Sequence, residues 1–423
     1  MSSRTCFPCR SFSVGGIRGP DALPAKAGML IWIPAQGRND RKQVMKKNYA
    51  KLGIDVHKKM HGKISIVSKK PVKSLEDLSI LYTPGVGAAS SYLAAHKNEV
   101  RKMTIKSNTV AVVSDGSAVL GLGNLGAYGA IPVMEGKCLL FKEFGGVDAF
   151  PIVLDTQNAD EIVETVKNIA PIFGGINLED ISAPRCFEIE ERLEKLLDIP
   201  LMHDDQHGTA IVVLAGLLNA LKVAGKKMSQ SKFVIVGAGA AGNATAKLLH
   251  KIGAADVIVC DSKGIIDRHR KDLDPYKKTL AQITNKNNVC GNVAAAAVGA
   301  DAIIGVSKPG TITAEHIKMM AKKPIVFALA NPVPEIMPDI AKKAGAFIVA
   351  TGRSDFPNQI NNVLGFPGIF RGALDHNVKK ITPEIKLKAA KALASLVKNP
   401  SRTNIVPSVF DKRVAESVAN AVR

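Results

Sequence analysis

The chain has 423 residues, of which 46% are hydrophobic and 22% charged, and its formal net charge is +20. These proportions are ordinary for a globular protein, and the length allows two or three domains. No apolar run reaches the ~18 to 20 residues that a membrane span needs, since the longest, residues 208–225, contains Asn219 and Lys222. The composition therefore excludes a membrane-spanning class and predicts that this run is a buried helix.

The positive charge has two interpretations. A basic chain could bind nucleic acid or another anionic surface. However, the sequence contains no nucleic-acid motif in which aromatic residues alternate with basic ones. We therefore interpret the charge as a basic surface that attracts an anionic substrate and cofactor, and we expect no nucleic-acid partner.

The cysteines indicate a reducing compartment. Cys6 and Cys9 form one C-x-x-C pair, and no second pair completes a four-ligand zinc site. The remaining cysteines are scattered, mostly in apolar stretches: Cys138, Cys186, Cys260 and Cys290. This pattern predicts buried, reduced thiols in a cytoplasmic protein.

The first 44 residues differ from the rest of the chain. They carry seven Lys or Arg residues against two Asp, contain the only tryptophan and show no clear periodicity. They have two interpretations, a basic targeting segment or an extension upstream of a true start at Met45. We favour the second, because no apolar core with a cleavage site is present. Residues 1–44 are therefore predicted to be a disordered or non-native extension.

The next part of the chain, residues 45–207, mixes short strands and helices and is predicted to be an α/β domain. Pro84 and Gly85 indicate a turn at residues 82–87. The other elements predicted from apolar periodicity are a helix within residues 45–70 followed by a strand at 64–67, strands at 110–114 and 149–155, and helices at 158–170 and 185–197.

From residue 231 onwards, strands and helices alternate. Strands are predicted at 233–236, 257–260, 302–305, 325–328 and 347–350, with helices at 241–252 and 383–397. Continuous apolar strands are typical of a parallel sheet that is covered on both faces. We therefore predict a doubly wound, Rossmann-type α/β domain within residues 208–423, whose C-terminal helices fold back on the first domain.

A dinucleotide fingerprint follows the first strand of this second domain. Its candidate cofactor-binding residues are Gly237, Ala238, Gly239, Ala240, Ala241 and Gly242. The first glycine permits a tight turn, the second allows the backbone to approach a pyrophosphate, and the third allows the helix to pack on the strand. A turn rich in small residues could have the same sequence for packing reasons alone. The preceding strand, the following helix and a suitably placed acid together favour nucleotide binding.

That acid is Asp261, which ends the next strand and is placed to hold the ribose hydroxyls. A carboxylate at this position favours NAD over NADP. Ser262 and Lys263 follow directly and could instead hold a 2′-phosphate, so both cofactors remain open.

Two acidic pairs are the other candidate site. Glu179 and Asp180 lie about 25 residues before Asp204 and Asp205, and the second pair is predicted in the turn before a helix that begins near Gly208. Mg²⁺ and Mn²⁺ prefer oxygen ligands in octahedral geometry. The alternative is that these acids cap helix N-termini, which Asp commonly does.

Together, five motifs in the chain resemble the malic enzymes in their short microbial form, from about residue 47 to the C-terminus. The motifs are LSILYTPGVG at 78–87, VMEGKCLLFK at 133–142, NLEDIS at 177–182, HDDQHGTA at 203–210 and NNVLGFPG at 361–368. The resemblance implies an N-terminal catalytic domain at 45–207 and a dinucleotide-binding domain at 208–423. It also implies a homodimer.

The resemblance implies the metal site. Glu179, Asp180 and Asp205 would bind Mg²⁺ or Mn²⁺, and Asp204 would support catalysis from beside the metal. His203 and His207 flank the second acidic pair, but a hard cation makes them poor candidates for ligands.

The resemblance also implies the roles of the remaining site residues. Lys137 would be the general base that takes the malate hydroxyl proton, so we expect its pKa to be depressed. Tyr82 would be the general acid that protonates the enol of pyruvate. Asn331 and Asn362, together with Lys137, would hold the substrate.

The implied reaction is oxidative decarboxylation of malate to pyruvate and CO₂ with reduction of NAD or NADP, together with decarboxylation of oxaloacetate. Two alternatives remain: a dehydrogenase that stops at the keto acid, and a nucleic-acid-binding protein that reuses a nucleotide fold.

The chain departs from its larger relatives in one segment. Residues 117–120 lack the arginine that binds malate in those enzymes, which leaves Arg353 or Lys137 to pair with the substrate carboxylate. In addition, Asn124 stands where many relatives carry an acid, so it is not expected to be a ligand.

Overall fold

The structure, a computed structural model, describes residues 49–423. The predicted extension at 1–44 and its cysteine pair lie outside the described residues. The chain divides into two units at Ile54, and both sheets and all the candidate sites lie within the second unit, Asp55–Arg423.

A four-stranded parallel sheet forms the centre of the N-terminal half, with strand order β2-β1-β3-β4. The elements are α1 (Tyr49–Met60), α2 (Leu75–Leu81), α3 (Gly85–Ala95), α4 (Val100–Met103), β1 (Thr109–Ser114), α5 (Gly126–Gly145), β2 (Asp148–Val153), α6 (Ala159–Ile169), β3 (Gly175–Leu178), α7 (Arg185–Leu196), β4 (Leu201–His203) and α8 (Asp204–Ala224). Strands β1, β3 and β4 are fully buried. Edge strand β2 is half-buried and contains Pro151, which an edge tolerates because one side of the strand needs no partner.

A six-stranded sheet forms the centre of the C-terminal half, with order β10-β9-β8-β5-β6-β7. Its elements are β5 (Lys232–Val236), α9 (Ala240–Lys251), β6 (Asp256–Asp261), β7 (Gly264–Ile265), α10 (Pro275–Ile283), α11 (Val293–Ala297), β8 (Ala302–Gly305), α12 (Ala314–Lys318), β9 (Ile325–Ala328), α13 (Pro338–Lys343), β10 (Ile348–Thr351), α14 (Phe366–Asp375), α15 (Pro383–Ser395) and α16 (Arg413–Ala421). All neighbouring strands are parallel except β7. The chain passes from β5 to β6 on one side and then returns to β8 on the other side of β5. Doubly wound sheets bind ligands at such a switch point. The predicted α/β class with a Rossmann-type second sheet is confirmed.

Helix α8 begins four residues earlier than predicted, so that Asp204 and Asp205 lie in its first turn. By length and composition alone, α8 could cross a membrane. The sequence-based expectation that no apolar run is long enough for a membrane span is therefore wrong. However, 72% of its most apolar window is buried inside the protein. The helix is therefore a core element, as predicted, and among the described residues no other helix meets these criteria.

The C-terminal helices pack back on the first sheet's helices, as predicted. The Phe141 ring on α5 makes edge contacts with Phe366 and Phe370 on α14, at centroid distances of 4.7 and 5.4 Å. All three rings are completely buried. This aromatic cluster joins the two halves of the chain next to the candidate site.

Two sequence predictions are wrong. Residues 64–67 are irregular rather than a strand, and Ile66 and Val67 are more than three-quarters exposed. Cys290 is exposed rather than buried, whereas the other three described cysteines are buried.

Glu190 on α7 fixes the start of α8. One carboxylate oxygen accepts a hydrogen bond from the backbone N–H of His203 at 2.8 Å, and the other contacts the side chains of Gln206 and His207 at 2.9 and 3.0 Å. Burial opposes ionisation of Glu190. The hydrogen bond and charge of His207 and the charge of Lys386 outweigh it and lower the pKa of Glu190. A buried, ionised carboxylate therefore holds the turn that carries Asp204 and Asp205.

We expect Glu190→Gln to lower the free energy of unfolding by about 1–3 kcal/mol at pH 7, because the amide cannot accept every hydrogen bond that the carboxylate accepts. The pKa of Glu190 is lower in the folded than in the unfolded chain, so its contribution is present above the ordinary value of 4.5 and lost as pH falls. The difference between the variant and the parent should therefore shrink below pH about 4 in urea unfolding.

Glu194→Gln is the matched control, one turn further along α7. Burial raises the pKa of Glu194, so neutralising it should not reduce stability at pH 7. An equal loss in both variants would contradict the assigned role of Glu190.

Candidate active site

The four acidic residues meet at the carboxyl edge of the first sheet. Glu179 and Asp180 follow β3, and Asp204 and Asp205 follow β4. These strands are adjacent and parallel, so their carboxyl ends lie side by side. The backbone of Asp180 has a positive φ of 54°, and its N–H donates to Asp205 Oδ2 at 2.8 Å. The second pair does not cap the helix, because His203 is the N-cap residue.

Glu179, Asp180 and Asp205 form a set that fits a hard divalent cation. One carboxylate oxygen from each lies within 4.8 Å of the others. Burial, together with the charge of Asp205, raises the pKa of Asp180 to about 7. Its Oδ2 is buried without a hydrogen-bond partner among the described residues. An unpartnered buried oxygen in a set of oxygen donors is what a Mg²⁺ or Mn²⁺ site requires.

Lys137 on α5 lies against this cluster. Its Nζ is 2.6 Å from Asp204 Oδ2 and 2.8 Å from Glu179 Oε1, and it lies 4.2 Å from the centre of the Phe366 ring. The residue is only 6% exposed. Burial alone would lower the pKa of Lys137, but the attraction of Asp204 and Glu179 outweighs it and raises the pKa. The expectation of a depressed pKa is therefore wrong for the protein without bound ligands.

Asp204 links Lys137 to the C-terminal half of the chain. It is fully buried, and its Oδ2 also accepts a hydrogen bond from Asn362 Nδ2 at 2.5 Å. Burial raises the pKa of Asp204, and Lys137 opposes that shift. Asp204 therefore lies beside the candidate metal ligands and in contact with the proposed base.

Three residues predicted for this region do not contact the cluster. Tyr82 lies at the end of α2 and is 63% exposed, and its hydroxyl makes no hydrogen bond within residues 49–423. Asn331 is exposed, and its carbonyl faces Gly121. Arg353 pairs with Asp355 through both ends of its guanidinium group, at 2.8 and 2.6 Å. Its charge is therefore already balanced.

Asn177 is a site residue that sequence analysis missed. It is buried on β3, and its Nδ2 donates to Glu179 Oε2 at 2.9 Å. Its place in the NLEDIS motif, two residues before Glu179, was the only available signal.

A cavity of about 590 Å³ lies over the glycine turn at the switch point of the second sheet. Its lining includes Gly237, Ala238, Gly239, Asp261 and Lys277. A Cβ atom at Gly237 would lie 2.5 Å from the carbonyl oxygen of Val306, so only glycine fits there. Helix α9 begins at Ala240, as the fingerprint predicts for a helix whose N-terminus faces a phosphate.

Asp261 is not a free carboxylate. Arg270 contacts both of its oxygens, at 2.8 and 3.1 Å, and Lys277 Nζ contacts Oδ2 at 2.9 Å. Burial would raise the pKa of Asp261, but the hydrogen bonds from Arg270 and Lys277 lower it to about 2. Neither cation is predictable from the sequence, because they lie 9 and 16 residues further along the chain without a motif to mark them.

Comparison with known proteins agrees with this geometry. Residues 61–194 match the family model of the malic enzyme N-terminal domain, and residues 206–423 match that of the malic enzyme NAD binding domain. The chain is 57% identical to an NAD-dependent malic enzyme of Geobacillus stearothermophilus over 85% of this chain and 76% of that protein. It is 46% identical to an NADP-dependent malic enzyme of Halomonas elongata, over 87% of this chain and 91% of that protein.

A solved structure gives the same result. The NAD-dependent malic enzyme of Thermotoga maritima superimposes with a TM-score of 0.85 at 48% identity, covering 87% of this chain and 98% of that one. The chain therefore belongs to the family of NAD- and NADP-dependent malic enzymes.

Proposed function

We propose that the cluster around Lys137 oxidises malate, releases CO₂ and yields pyruvate, with reduction of NAD or NADP, and that it also decarboxylates oxaloacetate. The observation that carries this proposal is the buried Lys137 ammonium, held by Asp204 and Glu179 among four carboxylates. Small molecules are the partners of this site. We propose a cytoplasmic protein without a nucleic-acid partner.

Glu179, Asp180 and Asp205 would hold Mg²⁺ or Mn²⁺, which supplies a Lewis acid for the C2 oxygen of the substrate and its adjacent carboxylate. Asn362, fixed by Asp204, and Lys137 would position the substrate. We assign Asn331 to the substrate on the resemblance alone.

Lys137 must lose its proton before it can take the malate hydroxyl proton as hydride leaves C2. Its pKa is raised by Asp204 and Glu179. If Glu179 and Asp205 held a dication, they would attract the Lys137 ammonium less strongly, and the pKa of Lys137 would fall. Asp204 Oδ2 then holds Nζ in place. After CO₂ leaves, Tyr82 would protonate the enol at carbon to give pyruvate.

We expect turnover of malate to pyruvate and CO₂ to require Mn²⁺ or Mg²⁺ together with NAD or NADP. Asp205→Asn should lower kcat/KM by at least about 100-fold, because it removes a charged ligand of a Lewis-acid metal. A coupled assay of NAD(P)H formation and CO₂ release measures both products.

Glu188→Gln, which removes an exposed carboxylate on α7, is the control and should leave turnover unchanged. Hydride transfer without CO₂ release would favour the simple dehydrogenase instead. Turnover that resists a chelator would contradict the metal site.

We infer that NAD is preferred to NADP. Arg270 and Lys277, which could otherwise bind a 2′-phosphate, are occupied by Asp261.

Asp261→Ser should free Arg270 and Lys277 and shift the ratio of kcat/KM values at least about tenfold towards NADP, which corresponds to about 1.4 kcal/mol. Asp272→Asn is the control, because Asp272 also pairs with Arg270 but does not line the nucleotide cavity. Asp272→Asn should change the ratio of the kcat/KM values for NADP and NAD less than Asp261→Ser does. A parent enzyme that prefers NADP would refute the assignment.

We propose a homodimer that covers α2 and α3. Neither helix contains a buried residue. The surface exposes large apolar side chains from both helices and the turn between them: Leu75, Leu78, Ile80, Leu81, Tyr82, Val86 and Tyr92. A contiguous apolar surface of this kind marks an interaction site. Because Tyr82 belongs to it, dimer formation would also bury the proposed general acid.

Sedimentation equilibrium should give twice the mass of one chain, and Ile80→Glu should produce monomers with lower activity, since a charge in an apolar interface costs several kcal/mol. Lys97→Glu, an exposed change just beyond α3, should leave the dimer intact. A monomeric parent protein with full activity would rule out this interface.

A further inference from the structure

Asp267, His269 and Cys290 lie together on two loops of the second domain, apart from the acidic cluster. Asp267 and His269 follow β7, and Cys290 lies between α10 and α11. One donor atom from each of the three lies within 4.8 Å of the others. Asp267 Oδ1 is 3.8 Å from His269 Nδ1. None of these residues belongs to a motif of the proposed reaction.

We propose that Asp267, His269 and Cys290 bind a second divalent cation of the zinc class. A thiolate, an imidazole and a carboxylate are all zinc ligands, whereas a thiolate disfavours Mg²⁺. Around a tetrahedral zinc ion the donor atoms lie about 3.3–3.8 Å apart, so the present spacing needs to contract by about 1.5 Å at most. The His269 side chain is 80% exposed and can make that movement by giving up its contact with Asn288.

Hydrogen bonds hold the two loops together without an ion. The backbone N–H of Ile265 donates to the carbonyl of Gly291 at 2.8 Å, and that of Arg268 donates to Asn288 Oδ1 at 2.9 Å. Asn288 Nδ2 lies 2.9 Å from His269 Nδ1. Because an amide nitrogen donates, Nδ1 is the unprotonated nitrogen, and a cation would replace Asn288 as the partner of its lone pair. The hydrogen bonds between the loops therefore keep the three donor side chains close together.

The charges also favour a cation at this point. Asp267 is 5% exposed, and its described ion pairs include no lysine or arginine. A dication held by Asp267 and Cys290 would balance this buried carboxylate and stabilise the thiolate form of Cys290.

The position links this site to the nucleotide cavity. Arg270 lies three residues after Asp267 and holds Asp261. Asp267 and Arg270 also line a common surface depression of about 530 Å³ with Gly291 and Asn292. An ion at Asp267 would restrain the loop that carries Arg270. Binding at the new site would therefore alter how firmly Arg270 holds Asp261, at the ribose end of the cofactor.

Titration with Co²⁺ tests the site, because a thiolate bound to Co²⁺ gives a charge-transfer band in the near ultraviolet and the catalytic carboxylates give none. The full chain should carry Cys6→Ser and Cys9→Ser, so that the N-terminal cysteine pair does not contribute. We expect one equivalent of Co²⁺ to produce the band and Zn²⁺ to displace it. The band should persist in excess Mg²⁺, which occupies the acidic cluster.

Cys290→Ser should abolish the band. His269→Ala should weaken Co²⁺ binding at least about tenfold, since even outer-sphere partners of a metal contribute 10- to 100-fold. His250→Ala, which removes an exposed histidine on α9, should change neither. Absence of the band in the parent protein, or its persistence in Cys290→Ser, would overturn the proposal. Malate turnover with Mg²⁺ in each variant checks the fold independently of the cobalt site.

Discussion

The ammonium of Lys137, buried between Asp204 and Glu179, is the interaction on which the site depends. Burial of two carboxylates at the end of a parallel sheet costs several kcal/mol each unless a cation compensates. Four carboxyl groups share this one ammonium, and burial raises the pKa of both Asp180 and Asp204. A divalent cation held by Glu179, Asp180 and Asp205 would supply the additional positive charge that favours their ionised forms.

The same ammonium joins the two halves of the chain. Lys137 projects from α5 of the first domain, and Phe366, whose ring it contacts, begins α14 beyond the second sheet. Asn362 reaches Asp204 from the segment just before α14. The chain must therefore complete both sheets and return before the site has all its parts. This return connects the carboxyl edge of the first sheet, through Asp204 and Lys137, to the segment that follows the nucleotide-binding sheet.

Local sequence patterns predicted most of the described strands but fewer than half of the described helices. A buried strand such as β5 needs a continuous apolar run, and an amphipathic helix such as α6 needs a 3.6-residue period. They failed where distant partners decide the structure. Residues 64–67 have a strand-like composition but no strand beside them to complete a ladder. Helix α5 was missed because Gly129, Pro132 and Gly136 weaken its helical signal, although tertiary packing of Met134, Cys138 and Phe141 stabilises it. The site follows the same division. The acidic pairs and the glycine turn are visible in sequence, whereas Lys137 and Tyr82 emerged only from the family resemblance.

The ionisation of Lys137 could not be predicted from its sequence context, and it connects cation binding to proton transfer. In the structure, Asp204 and Glu179 favour the ammonium, which cannot accept a proton. Glu179 is also one of the three candidate cation ligands, so a lysine neighbour and a divalent cation compete for the same negative charge. Each positive charge brought to Glu179 and Asp205 weakens the hold on the lysine proton. If Lys137 is the base and the carboxylates hold a dication, as proposed, the position of Glu179 between the two would couple metal binding to base activation.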